Sequence, residues 1–196
     1  AQKVIDACEN GEFVAVRSNV QRKHRSTNPP FITSTLQQEA AKRLGFQSRR
    51  TMLVAQELYE GINLGAENGG THGLITYMRT DSLRISEEAR ASGNKYISEN
   101  FGEKYLPKSP RYYKSKANAQ DAHEAIRPAV IEITPESLKG VLTAEQYKLY
   151  KLIWDRFIAS LMAACLVDTV SVDITCGDYV FRSNGFTVKF DGYTAL

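Results

Sequence analysis

In the stretch Leu161-Met162-Ala163-Ala164-Cys165-Leu166-Val167-Asp168-Thr169-Val170-Ser171-Val172-Asp173-Ile174, one periodicity of the chain gives way to another. Upstream, Tyr147, Tyr150, Trp154, Phe157, Ile158 and Leu161 keep helical spacing behind a Thr143/Gln146 capping box, which predicts a helix with a core-facing stripe. Downstream, Val170, Val172 and Ile174 alternate with polar residues at the two-residue period of a strand. Tyr179 to Arg182 continues the strand. Asn184-Gly185 predicts a hairpin turn, with Phe186, Val188 and Phe190 alternating beyond it. The other end of the chain has the same texture. Ala1 to Cys8 reads as helix and Asn10-Gly11 as a break. Glu12 to Val20 is a strand with Val14 and Val16 on one face, running on until Asn28-Pro29-Pro30 ends it. Strand at both ends and helix between predicts an α+β fold. A mainly helical domain, residues 28–162, is inserted into a β domain, residues 1–27 and 163–196, that is only partly present.

Within the middle, Ser34 and Gln37 form a capping-box pattern, Leu36, Ala40 and Leu44 share a face, and Gly45 stops the helix. Ser48 can cap a second helix reaching Gly61. Two helices joined by a short glycine-containing turn suggest a helix-turn-helix, which serves DNA-binding modules and ordinary bundles alike. Gly61 to Gly73 holds five glycines and reads as a surface loop; it lacks the GK[ST] ending of a phosphate-cradling loop. Ser86, Glu87 and Glu88 start a helix to about Phe101, and Asn118 with Asp121 starts a short one that Pro128 terminates.

The chain has 196 residues, 42% of them hydrophobic, which suffices for a buried core, and its net charge of +3 is only mildly basic. The distribution says more. Arg17, Arg22, Lys23 and Arg25 cluster around His24. Lys104, Lys108, Arg111, Lys114 and Lys116 form a run without acids, interleaved with Tyr105, Tyr112 and Tyr113. Such runs suit phosphates and unpaired bases, and equally suit a solvated loop. Cys8, Cys165 and Cys176 lack metal-ligand spacing and read as free thiols of a cytosolic protein. No membrane span or signal peptide is legible.

Chemistry concentrates in Gly73-Leu74-Ile75-Thr76-Tyr77-Met78-Arg79-Thr80-Asp81-Ser82. Leu74 to Thr76 reads as a short buried strand that would deliver Tyr77 from a rigid element. In extended backbone Tyr77, Arg79 and Asp81 share a face. A phenol attacks poorly at neutral pH unless a cation stabilises the developing phenolate, and an arginine can do that while gripping a phosphodiester. On the residues alone, a half-buried strand tyrosine beside a surface arginine is the better explanation of the string. Further on, Gln120, His123, Glu124 and Arg127 would share one face of the short helix, a set able to hold a phosphate and move a proton, although on the residues alone a solvent-facing helix with a satisfied histidine is the better reading. HEAIR lacks the second histidine of a zinc motif.

The string GLITYMRTDS resembles the active-site segment of the type IA DNA topoisomerases, and Met78 favours their bacterial branch. Two more blocks match in the same order: Pro29-Pro30-Phe31-Ile32-Thr33-Ser34-Thr35-Leu36-Gln37-Gln38-Glu39-Ala40, and Ala119-Gln120-Asp121-Ala122-His123-Glu124-Ala125-Ile126-Arg127-Pro128. The resemblance implies relaxation of negatively supercoiled DNA through a single-strand break and a 5′-phosphotyrosine at Tyr77. Arg79 would bind the scissile phosphate and His123 would assist, as acid–base group or as phosphate ligand. Asp81, Gln120, Glu124, Arg127, Lys114 and Lys116 are further candidates for DNA contact. The terminal β segments would belong to the gate or arch of such an enzyme, a monomer acting at the nucleoid. Mg²⁺ is implied for the parent enzyme, held by a Toprim domain with a Glu and a DxD cluster. No DxD occurs here, so no metal ligands are expected in the chain. The opening without Met and the stop inside a β pattern suggest a fragment, inactive by itself. A non-catalytic DNA-binding module built on the helix pair is the alternative. Tyrosine recombinases also use phosphotyrosine chemistry, but their tyrosine follows their His and Arg, whereas Tyr77 precedes His123.

Overall fold

The computed structural model describes residues 1–65, 70–113 and 123–196, and its architecture is α+β. In chain order come α1 (Gln2–Cys8), β1 (Val14–Arg25), α2 (Thr33–Leu44), α3 (Ser48–Glu60) and the two-residue strands β2 (Ile62–Asn63) and β3 (Thr71–His72). Then follow α4 (Glu87–Asn100), α5 (Ala144–Leu161), β4 (Cys165–Cys176) and β5 (Tyr179–Phe190). The chain divides into two compact units. One comprises Ala1–Ser26 and Ala164–Ala195, the other Thr27–Ala163.

The first unit is a three-stranded antiparallel sheet in the order β1-β4-β5. The register of β1 against β4 runs from Val14 opposite Thr175 to Arg25 opposite Cys165. The hairpin does not turn at Asn184-Gly185. Cys176 pairs with Tyr179, so the chain reverses over Gly177-Asp178, where Gly177 adopts a left-handed φ of 55°. Asn184 and Gly185 lie in mid-strand opposite Ser171 and Val170, because pairing with the full length of β4 decides the register. The basic cluster lies inside β1, which is exposed throughout. There Arg22 pairs with Asp168 at 2.8 Å and Arg25 stands 4.4 Å over the Phe186 ring. All three cysteines are free and buried.

The second unit is organised around α5. Its stripe of Leu149, Tyr150, Ile153, Trp154, Phe157, Ile158 and Leu161 is buried, and α2, α3 and α4 each pack against it. Burying each such side chain contributes roughly 1.5–3 kcal/mol. The Thr143/Gln146 capping box forms as the spacing predicts, with Gln146 Oε1 accepting the Thr143 N–H at 3.0 Å. Buried polar tips are satisfied by backbone: the Tyr150 hydroxyl donates to Ile133 O at 2.6 Å and Trp154 Nε1 to Ile131 O at 3.1 Å. Burial pushes the Tyr150 phenol up from its ordinary pKa.

Three local expectations shift. The capping hydroxyl of α2 is Thr35, which accepts the Ile32 N–H at 3.0 Å, and the helix begins at Thr33 rather than after Ser34. Ser48 lies within α3, whose first turn is closed by the Thr51 hydroxyl donating to Gln47 O at 3.2 Å. The predicted helix ending at Pro128 does not reach His123–Pro128, which is extended; Asn118 to Ala122 lie outside the described residues. Ile126 bridges Phe31 and Pro128 bridges Ile75, so neighbouring chain, not a helical turn, takes up this segment's hydrogen bonds.

Candidate active site

The three sequence blocks meet here. Leu74 N–H donates to Leu58 O at 2.7 Å, which stitches the tyrosine segment to the end of α3. Gly73 permits this approach, since a Cβ there would lie 2.7 Å from the Tyr59 carbonyl oxygen. On its other side the segment joins the third block. Thr76 N–H donates to Arg127 O at 2.9 Å, and Ala129 N–H donates to Leu74 O at 2.9 Å. The Thr76 hydroxyl adds a second clamp, donating to Ala125 O at 2.7 Å and accepting the Arg127 N–H at 3.0 Å. Leu74 and Ile75 are buried beneath.

From Tyr77 onward burial alternates. Met78, Thr80 and Ser82 point in, while Tyr77, Arg79 and Asp81 are exposed. The shared face read from the sequence is therefore present, although the backbone bends at Met78 and Arg79. The Tyr77 ring, 38% exposed, lies between two others. Tyr59 of α3 meets it edge-on with centroids 5.4 Å apart, and the His123 imidazole is 6.0 Å away. Arg79, Asp81 and His123 line one open cleft of about 500 Å³ together with Thr33 and Ser34 from the start of α2. Residues 46 positions apart thus share a site; Tyr59 and Thr33 join it without having been singled out as site residues. Their types are too common to carry a signal, and only their place beside the blocks marks them.

Other candidates stand elsewhere. Arg127 is turned to structural use: its guanidinium holds Glu124 at 2.5 Å and Pro128 O at 2.8 Å, with the side chain 13% exposed. Glu124 also faces Arg84 at 3.8 Å, so neither partner joins Arg79 at the cleft. Asp81 and Arg79 form no ion pair; among the described residues Arg79 has no carboxylate partner. Gln120, Lys114 and Lys116 lie outside the described residues. In the basic run, the Tyr113 hydroxyl donates to Ser160 O at 2.7 Å and serves packing, whereas Tyr112 stays exposed under Arg90. The helix pair α2–α3 supplies the scaffold: α2 brings Thr33 to the cleft and α3 brings Tyr59.

Chemically the cleft offers a guanidinium, an imidazole and one carboxylate beside a phenol, a set suited to an anion rather than a metal. Among the described residues no group of three His, Cys, Asp or Glu side chains could hold an ion. No described helix is long and apolar enough to cross a membrane.

The family model described as DNA topoisomerase matches residues 1–196. The full-length topoisomerase I structure from Thermotoga maritima, in a monoclinic crystal form, is 38% identical with a TM-score of 0.85. The match covers 100% of this chain and 31% of that one.

Proposed function

The chain belongs to the bacterial type IA DNA topoisomerase family, and from that premise we propose that Tyr77 is the nucleophile of a transient single-strand break. Its phenolic oxygen attacks a backbone phosphorus as its proton leaves. The bond to the 3′ oxygen breaks, and that oxygen departs protonated, leaving a 5′-phosphotyrosine and a free 3′-hydroxyl. The reverse attack reseals the strand without ATP, because the link conserves the bond energy. Arg79 grips the phosphate and stabilises the charge that develops on phenolate and phosphoryl oxygens. His123 assists at the same phosphate, as proton donor to the 3′ oxygen or as a further ligand. Asp81 orders a neighbouring donor at the rim, and Lys114 and Lys116 contact the DNA backbone. Single-stranded DNA in negatively supercoiled molecules is the substrate.

One observation carries the reading: Arg79, which has no carboxylate partner among the described residues, and His123 line one cleft, and the exposed Tyr77 ring lies 6.0 Å from the His123 ring at its side. Among the described residues no cluster of carboxylates suits Mg²⁺, so its ligands would come from outside that set.

The test is denaturant trapping of the covalent adduct with a single-stranded oligonucleotide, using the full-length enzyme. Tyr77→Phe is expected to abolish the adduct. An adduct that survives this substitution sinks the assignment. The 196-residue chain alone is expected neither to relax plasmid nor to cleave efficiently, and its DNA binding should fall steeply with salt. Relaxation of plasmid by that chain alone would contradict the division of labour proposed here.

A further inference from the structure

Arg79 is a long, flexible side chain on a bend, with no carboxylate partner among the described residues to aim it. Something else must fix its origin if it is to meet a phosphate in one geometry. Hydrogen bonds to a single residue do so. The Thr33 hydroxyl shares its one proton between Met78 O at 2.8 Å and Thr80 O at 3.0 Å, and accepts the Thr80 N–H at 2.9 Å. The Thr33 N–H donates to Thr80 O at 3.0 Å. These bonds bracket Arg79 from both sides. Met78 and Thr80 are 4% and 7% exposed, so their side chains anchor the bend while only that of Arg79 faces out. Thr33 itself sits in the first turn of α2, a rigid helix packed on α5.

We propose that Thr33 is a positioning residue for Arg79, setting the height and direction from which the guanidinium enters the cleft. The inference rests on the proposed phosphate-gripping role of Arg79. Although Thr33 borders the cleft, its single hydroxyl proton, the group a phosphate oxygen would need, is already engaged by backbone carbonyls. It therefore acts through Arg79 and not as a phosphate ligand. Removing the hydroxyl leaves the Thr33 amide as the one remaining bond from α2 to the bend, which can then rock by a fraction of an ångström on its buried side chains, and misplacement on the order of 1 Å can cost ~10²-fold in rate.

The experiment compares Thr33→Val, which keeps the shape, and Thr33→Ser, which keeps the hydroxyl, in the full-length enzyme. Single-turnover formation of the Tyr77 adduct is followed on a single-stranded oligonucleotide. Thr33→Val is expected to slow adduct formation about ten- to a hundredfold at saturating oligonucleotide, with binding of the oligonucleotide changed by less than about twofold; Thr33→Ser should restore most of the rate. Thermal melting followed by circular dichroism gives the folded fraction of each variant. A Thr33→Val rate equal to the unsubstituted one, or a loss that vanishes when normalised to folded protein, overturns the inference. So does a loss confined to binding. If Tyr77→Phe abolishes the adduct while Thr33→Val forms it normally, only the positioning role fails. If the unsubstituted enzyme forms no adduct, the reading of the site fails and takes this role with it.

Discussion

Replacing Thr76 with valine removes one oxygen and tests whether the tyrosine segment is clamped as described. The hydroxyl donates to Ala125 O at 2.7 Å and accepts the Arg127 N–H at 3.0 Å, and Ala125 is fully buried. The backbone bond from Thr76 N–H to Arg127 O survives the change. A carbonyl and an amide are then left inside without these partners, and each such group costs about 1–3 kcal/mol. The added methyl recovers a little, so the net loss should be roughly 2–4 kcal/mol. Thr76→Ser keeps both bonds and should cost under about 1 kcal/mol. The assay is urea unfolding followed by Trp154, the only tryptophan of the chain, buried in the helical unit that holds the site. A Thr76→Val variant within about 0.5 kcal/mol of the parent, at unchanged m-value, would mean that the clamp is not what joins the two blocks.

Gly73→Ala should destabilise the same unit by roughly 1–3 kcal/mol, because the new methyl meets the Tyr59 carbonyl at 2.7 Å; an unshifted midpoint would show that the segment can give way. Arg127→Met should lower stability by roughly 1–3 kcal/mol through the stranded Glu124 carboxylate. It should leave the salt dependence of DNA binding unaltered; a smaller salt slope would return Arg127 to the phosphate contacts. Burial raises the Asp155 carboxyl despite the nearby Lys151. A raised folded pKa favours the protonated form, so stability from this group is greatest below the unfolded value and is lost as pH rises through the folded one. Urea titrations between about pH 4 and pH 6 should therefore show Asp155→Asn gaining on the parent as pH increases; a constant difference would contradict the shift.

Local signals in the sequence read well where the structure is decided locally. The Thr143/Gln146 box and the stripe from Tyr150 to Leu161 involve partners within a few residues, and both form. The alternation of exposed Tyr77, Arg79 and Asp81 with buried Met78 and Thr80 was legible for the same reason. Asn184-Gly185 and His123–Arg127 misled because distant chain overrode near chain. β4 imposes its register on the first, and hydrogen bonds to Phe31, Arg84 and Thr76 pull the second out of helical form. Thr33 and Thr76 escaped notice because a threonine becomes a clamp only through what lies opposite it, and those partners are 45 to 51 positions away.

The register of β1 also says something about how the molecule comes to exist. Arg25 pairs with Cys165 and Val14 with Thr175, so even the near end of this strand waits for chain 140 positions further on (165 − 25) before it meets its neighbour. The β4–β5 hairpin, closed over Gly177-Asp178, can zip within microseconds of leaving the exit tunnel. Within this sheet β1 has to wait for β4, and it carries Val14, Val16 and Val20, which stay exposed even in the folded chain. Arg17, Arg22, Lys23 and Arg25 punctuate that strand with charge, which makes stacking against a second nascent copy unfavourable.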